Sequence, residues 1–511
     1  MRHSDSVFRF IPVFLLLSFL YGSGLFGNNI QVEQVTLGGQ NVGSQFTMIE
    51  FDLSWENSWR LSAGPSNWDA AWVFAKFRVN NGPWQHASLN YVNGTAATDG
   101  HIEPIGATIT TPSDGRGVFI YRANVGTGHV SWQGIQLRWN YGLDGVSNND
   151  IVDVQVFAIE MVYVNQGNFR LGGGNGTEVG KFHQYTIPLN FTTSYLISSE
   201  AAIPVGSTFG QLNYLSPPSH DAGDRQGPIP PQFPKGFQAF YCMKYEVTQD
   251  QWISFFNHLT PTQQVNNDIT DLDHRGPNPI DRNNVDWEGT GGAYTTNPYI
   301  PMSFILWGEV LAYCDWAGLR PMTELEFVKA CRGPKASIGG EYAWGTSDII
   351  DPSFTYDLLN KSESDELLVN HVSGIGNANW INSSIFEDGP YRSGIFAASA
   401  KVLDRESAGA TYYGIMEMSG NLSEMCITLG DPIGRAFKGN HGDGELSTDG
   451  EANVASWPPV TGNPDGKGGG LFGGAWFSQS ECLWINDRRS ATIGNVGYFN
   501  DVGFRCVRTS P

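Results

Sequence analysis

The sequence predicts an all-β, sandwich-like unit over residues 28–156, followed by an α+β unit with long ordered loops over residues 157–511. Three observations carry this. Segments of alternating β-branched and aromatic residues, separated by Gly, Asn, Asp and Ser turns, fill the first part. Three short amphipathic helix patterns follow a change of texture at Ile159. Beyond Gly333 the chain turns Gly-, Asn- and Asp-rich with little periodicity, so metals, disulfides or dense loop hydrogen bonding must hold it in one conformation.

Ahead of both units, Arg2 and Arg9 precede the apolar run IPVFLLLSFLY, which is followed by the small-residue run GSGLFG. That layout is a secretory signal peptide over residues 1–27, with a signal anchor as the alternative reading. A secreted, periplasmic or cell-surface location is therefore expected. No second run of about 18 apolar residues follows, so no membrane span is expected in the mature chain. A formal charge of −21 repels phosphates and anionic lipid heads, which excludes nucleic acid as a partner. The acidic excess suits divalent cations, calcium first.

In the first unit IQVEQVTLGG, FTMIEFDLSW, AAWVFAKFRV, GVFIYRANV and IQLRWNY read as strands. Trp55, Trp59, Trp68, Trp72 and Trp84 form either a carbohydrate-stacking platform or a sandwich core with exposed rims. In the second unit Thr248 and Gln251 start a helix whose Trp252, Phe255, Phe256 and Leu259 share one face. ILWGEVLAYCDWAGL is a second helix stopped by Gly318, and Thr323 with Glu326 caps a third. His441 in HGDGEL has no second histidine at ligand spacing, so a loop turn is the default. Asn93 and Asn175 head N-G-T sequons. The six cysteines form no CxxC pair.

The ordered pieces EMVYVNQGNFRLGG, FYCMKYEVTQDQW, AYCDWAGLRPMTELEFVKACRG, YAWG, MSGNLSE, GGAW and DVGFRC resemble the formylglycine-generating enzyme (sulfatase-modifying factor) family over residues 159–511. The resemblance implies a variant of the C-type-lectin-like arrangement. It also implies copper- and oxygen-dependent oxidation of a sulfatase cysteine, carried by two cysteines just after a GGS-type turn. The corresponding positions here hold Ser478 and Leu483, with Cys482 one place short. A soft thiolate pair is missing, so copper is not expected. The expectation is a calcium-braced binding or assembly module with a protein or glycan partner. The alternative is an oxidase using a displaced Cys482. The histidines show no H-x3-H-x-E spacing, which argues against an iron site of the ergothioneine-synthase type.

The resemblance further implies a Cys331–Cys506 disulfide, leaving Cys242 and Cys314 as small buried residues. Cys426 and Cys482 either bridge, stay free, or leave a redox thiol. One implied calcium site uses Asn379, the Trp380 carbonyl, Asp388 and the Pro390 carbonyl. A second uses Glu417, Gly420, Leu422 and Glu424; the alternative is that these residues cap turns. Arg488 and Arg489, beside Asp487, are expected in a structural ion pair or in substrate-carboxylate binding.

Overall fold

The computed structural model describes residues 29–271, 274–380, 389–402, 404–460, 466–494 and 497–511. The expected signal peptide and Asp388 lie outside the described residues. The molecule is mostly strand with few helices.

The first segment contributes β1 (Gln31–Asn41), β2 (Phe46–Arg60), β3 (Asp69–Val79), β4 (Gln85–His86), a short helix α1 (Ala96–Asp99), β5 (Ala107–Thr110), β6 (Val118–Arg122), β7 (Gly126–Trp139) and β8 (Val152–Val164). Two small antiparallel ribbons follow, β9 (Phe169–Leu171) with β11 (Tyr195–Ile197), and β10 (Phe182–Gln184) with β12 (Leu212–Tyr214). Next come β13 (Phe240–Met243), α2 (Gln249–Phe256), α3 (Pro261–Asn266), α4 (Trp307–Trp316), β14 (Arg320–Pro321) and α5 (Glu324–Arg332). The loop-rich remainder holds β15 (Leu358–Leu359), β16 (Leu367–Leu368), α6 (Ile395–Ser399), β17 (Ser423–Ile427), α7 (Pro432–Arg435), β18 (Gly469–Phe472), β19 (Val502–Gly503) and β20 (Cys506–Thr509).

The helix ends follow local chemistry. Thr248 with Gln251 and Thr323 with Glu326 form reciprocal capping boxes. Gly318, at φ 65°, closes α4 in a Schellman arrangement. Its N–H bonds the Asp315 carbonyl at 2.9 Å, and the Leu319 N–H bonds that of Cys314 at 2.8 Å.

An eight-stranded sheet of order β14-β20-β13-β8-β3-β6-β5, with β4 on β3, runs through both expected units. The boundary expected at residue 157 falls inside β8. That strand pairs with β3 from Asp69↔Val162 to Val79↔Val152, and its far end pairs with β13 at Phe240↔Val164. Strand alternation gives β3 two buried faces. Ala71, Val73, Ala75 and Phe77 meet Ile49, Phe51, Leu53 and Trp55 of β2, whose sheet has order β1-β2-β7. Ala70, Trp72 and Phe74 face the other way, toward Trp252, Leu311 and Trp316 of α2 and α4. The result is a small sheet, a central sheet and helices in three layers. Trp72 Nε1 donates to the Ala317 carbonyl at 2.8 Å, and the Arg508 guanidinium lies 4.4 Å from the Trp72 ring.

The tryptophans do not form a shared surface. Trp55 and Trp72 are fully buried, and Trp68 stacks on Tyr163 at 3.9 Å.

The disulfide differs from the expected pairing. It joins Cys506 to Cys314, with Cα atoms 6.0 Å apart, and leaves Cys331 free. On β20, Cys506 faces the core that holds Cys314, whereas Val507 faces the core that holds Cys331. Period-2 alternation therefore points Cys506 at Cys314 of α4 and away from Cys331. Cys331 lies 3.9 Å from the Met418 sulfur. Cys426 and Cys482 are likewise unbridged. Cys426 points from β17 into the core shared with Cys331, while Cys482 packs at the edge of a separate cluster around Trp344 and Trp380. Among the described residues, no helix is long and apolar enough to cross a membrane.

Candidate functional site

The loop after β18 begins with Gly473 and Gly474, at φ 85° and 63°. A Cβ on Gly474 would come within 2.7 Å of Leu483 and 2.9 Å of the Cys482 backbone, so only glycine lets the turn fold back this tightly. The turn is then closed by its own groups. Ala475 N–H donates to Ser478 Oγ at 3.0 Å, and Ser478 N–H donates to the Ala475 carbonyl at 2.9 Å. A 3-10 turn over Ser480–Leu483 carries Cys482 half-buried and Leu483 inward.

Leu483 is fully buried among Trp344, Trp380, Ile395 and Phe396. Its carbonyl accepts from Ser419 Oγ at 2.8 Å, and Ser419 Oγ accepts from Ala343 N–H at 3.0 Å. Burial pushes the Cys482 thiol above its usual range, opposed by the nearby Arg489 cation. The site therefore holds one thiol in its protonated form. A soft thiolate pair for Cu(I) is not among these residues.

The Glu417–Glu424 segment packs directly against this turn. Gly420 N–H donates to the Gly473 carbonyl at 2.8 Å, and Trp476 N–H to that of Asn421 at 2.9 Å. Glu417 and Asn421 both sit at positive φ, 54° and 69°, a local cost of order 1–3 kcal/mol each that the surrounding contacts offset. Glu424 forms a two-pronged pair with Arg505 at 2.6 and 2.8 Å, both side chains buried. Glu246, from the KYEVTQ stretch, accepts from Asn421 Nδ2 at 2.6 Å and from Leu422 N–H at 2.9 Å. Glu417 Oε1 accepts from Gly394 N–H at 3.0 Å. Its Oε2 is buried with no hydrogen-bond partner among the described residues, and burial pushes its carboxyl up to about 7.

That unpartnered oxygen is what a hard cation would satisfy, so Glu417 offers one donor of the kind calcium takes. Glu424 fits it less well, because Arg505 already engages both of its oxygens. At the other expected site Asn379, Trp380 and Pro390 are buried. The Pro390 carbonyl accepts from Arg282 Nη1 at 2.9 Å, and Arg282 also pairs with Glu366. The Asn379 carbonyl accepts from Asn421 N–H at 3.0 Å, which ties the two segments together. Among the described residues no three His, Cys, Asp or Glu side chains form a metal cage.

Arg488 has the structural role. It pairs with Glu324 at 2.7 Å, donates to the Gly180 and Ala222 carbonyls, and lies over Phe182 and Tyr214. Asp487 pairs with Arg489 instead, at 2.9 Å. His441 Nε2 accepts from Thr509 N–H at 3.0 Å within a loop. Asn93 and Asn175 are exposed. Sequence reasoning did not single out Glu246, Arg282 or Arg505. The available signal was a charged residue inside an otherwise apolar stretch, as in YCMKYEV and GFRC.

Residues 152–510 match the family model described as "Sulfatase-modifying factor enzyme 1-like domain". The formylglycine-generating enzyme of Bos taurus is 30% identical over 115 residues, covering 19% of this chain and 31% of that enzyme. The match thus spans about a third of the bovine enzyme's length.

Proposed function

The chain belongs to the sulfatase-modifying factor family, and from that premise we propose that it is a binding or assembly module without formylglycine oxidase activity. The observation that carries this reading is the pair Ser478 and Leu483 in place of the family's two thiols. A hydroxyl engaged by Ala475 N–H and a fully buried isobutyl group offer no soft ligand. Cys482 alone, with its thiol raised by burial, is a weak nucleophile and a single donor.

Calcium completes the reading as a brace. Glu417 with the Gly420 and Leu422 carbonyls would hold it, and the bound ion would supply the electrostatic tie for a segment with little regular structure. The export signal expected over residues 1–27 supports a location in the periplasm, outside the cell or on its surface, with a protein or glycan partner there.

A second reading rests on Cys482, which is half-buried at the edge of the same turn. In it, this thiol takes over the oxidase role. A Cu(I) competition titration with a chromogenic chelator separates the two. The module reading expects no Cu(I) retained by the protein, and tight stoichiometric Cu(I) binding that disappears in Cys482→Ala would reverse it.

A further inference from the structure

We infer that the cleft at the seam between the first segment and the family core is a binding site for a neutral saccharide. The cleft has a volume of about 510 Å³, within the span of roughly 300–1,000 Å³ usual for small-ligand sites. It lies away from the Gly473–Arg489 turn, and its walls include β3, β4, the segment between α2 and α3, α3, α4 and Gly444–Leu446.

Its floor is built from buried polar contacts. Lys76 Nζ donates to the Gly444 carbonyl at 2.5 Å and lies 5.0 Å from the Trp316 ring. His86 N–H donates to Glu445 Oε1 at 2.6 Å, and His86 Nε2 meets the Arg116 carbonyl at 2.6 Å. The loop that brings Glu445 is pinned by buried Asp315, which accepts from Asp443 and Asn453 N–H at 3.0 and 2.9 Å. These contacts fix the Glu445 carboxylate and the Arg116 backbone before any ligand arrives, which lowers the ordering cost of binding.

Above the floor one polar group stands apart. The Arg116 guanidinium makes no hydrogen bond or ion pair among the described residues, although nearly every other buried or half-buried arginine does. It interacts electrostatically with Glu445, yet the two form no ion pair. A guanidinium and a carboxylate therefore face one cleft with a gap between them. Adjacent hydroxyls of a sugar fill such a gap, accepting two bonds from the fork and donating one to the carboxylate.

Charge and shape narrow the ligand class. Lys76 and Arg116 balance Asp144 and Glu445 among the lining residues, so neither an anion nor a cation is favoured. Trp84 closes one side, its ring 4.8 Å from that of His258 and 4.7 Å from the Arg78 guanidinium, and offers an apolar border for C–H groups. An apolar ligand would leave Arg116 and Glu445 unpaired. This gives the binding reading a ligand class without depending on the family site. An active oxidase would leave the cleft's behaviour unchanged, and a failed sugar titration would leave a protein partner as the module's target.

The test titrates the full chain with cellobiose, maltose and N,N′-diacetylchitobiose, with digalacturonate as the acidic counterpart, by calorimetry. At least one neutral disaccharide saturates. Arg116→Ala and Glu445→Gln each weaken it by about tenfold or more, and Lys438→Ala, beyond the loop, does not. Hydrogen exchange on the parent chain needs no variant: sugar protects residues 82–88 and 441–446. The inference is overturned if no neutral sugar saturates, if only digalacturonate binds, if both cleft variants bind like the parent, or if protection falls elsewhere.

Discussion

Arg505 grips Glu424 with two nitrogens, at 2.6 and 2.8 Å, and neither side chain is more than 1% exposed. The pair joins the last strands to β17, directly under the segment that packs on the Gly473 turn. Desolvating both charges is costly, and removing one leaves the other buried without compensation. Arg505→Ala should therefore lose about 3–5 kcal/mol of stability, read as a fall in denaturant midpoint. The double variant Arg505→Met/Glu424→Leu should lose markedly less. A single variant as stable as the parent would show that the pair is not closed in solution.

The cysteine chemistry makes a second prediction. Peptide mapping without reduction should recover one bridge, Cys314–Cys506, and free thiols at Cys242, Cys331, Cys426 and Cys482. Only Cys482 should react with a thiol reagent before denaturation, because the other three are buried. The bridge spans 192 residues, and on a chain-entropy account Cys314→Ser costs about 5 kcal/mol. A Cys331–Cys506 peptide would contradict the fold of β20.

Calcium is checked by chelation. EDTA should lower the melting temperature, and added calcium should restore it, with about 3 kcal/mol gained at a hundredfold excess over Kd. Glu417→Ala should abolish the response. An unchanged melting temperature with chelator would remove calcium from the account.

His101 gives a pH signature. Burial pushes its imidazole down to about 4, against about 6.5 in an unfolded chain. Its Nδ1 accepts from Arg138 N–H at 2.9 Å, a bond available only to the neutral ring. Between pH 6.5 and 4 the unfolded chain binds the extra proton, so this contribution is complete above 6.5 and is lost as pH falls toward 4. The loss amounts to about 3 kcal/mol. His101→Gln should flatten that part of the stability curve, and an unaltered slope would show that His101 is not buried neutral.

Local features of this fold were legible in the sequence. The Thr248–Gln251 and Thr323–Glu326 boxes and the Gly318 stop depend on neighbours within a few positions, so spacing alone reveals them. The strands of the first segment were legible for the same reason. Pairing was not. β3 against β8 and the Arg505–Glu424 pair, 81 positions apart, depend on which faces meet after the chain has folded. The disulfide shows the limit most clearly. Both Cys314 and Cys331 lie on helices near β20, and only the alternation of Cys506 and Val507 decides between them. At the candidate site, Ser478 and Leu483 were singled out only through the family resemblance, whereas Glu246 and the buried Oε2 of Glu417 emerged only from packing.

The most direct test of the central claim is mass spectrometry of a CxPxR sulfatase peptide after incubation with the purified chain, copper and oxygen. The account predicts that the peptide cysteine is recovered unchanged. Conversion of that cysteine to formylglycine, abolished by Cys482→Ala, would contradict it.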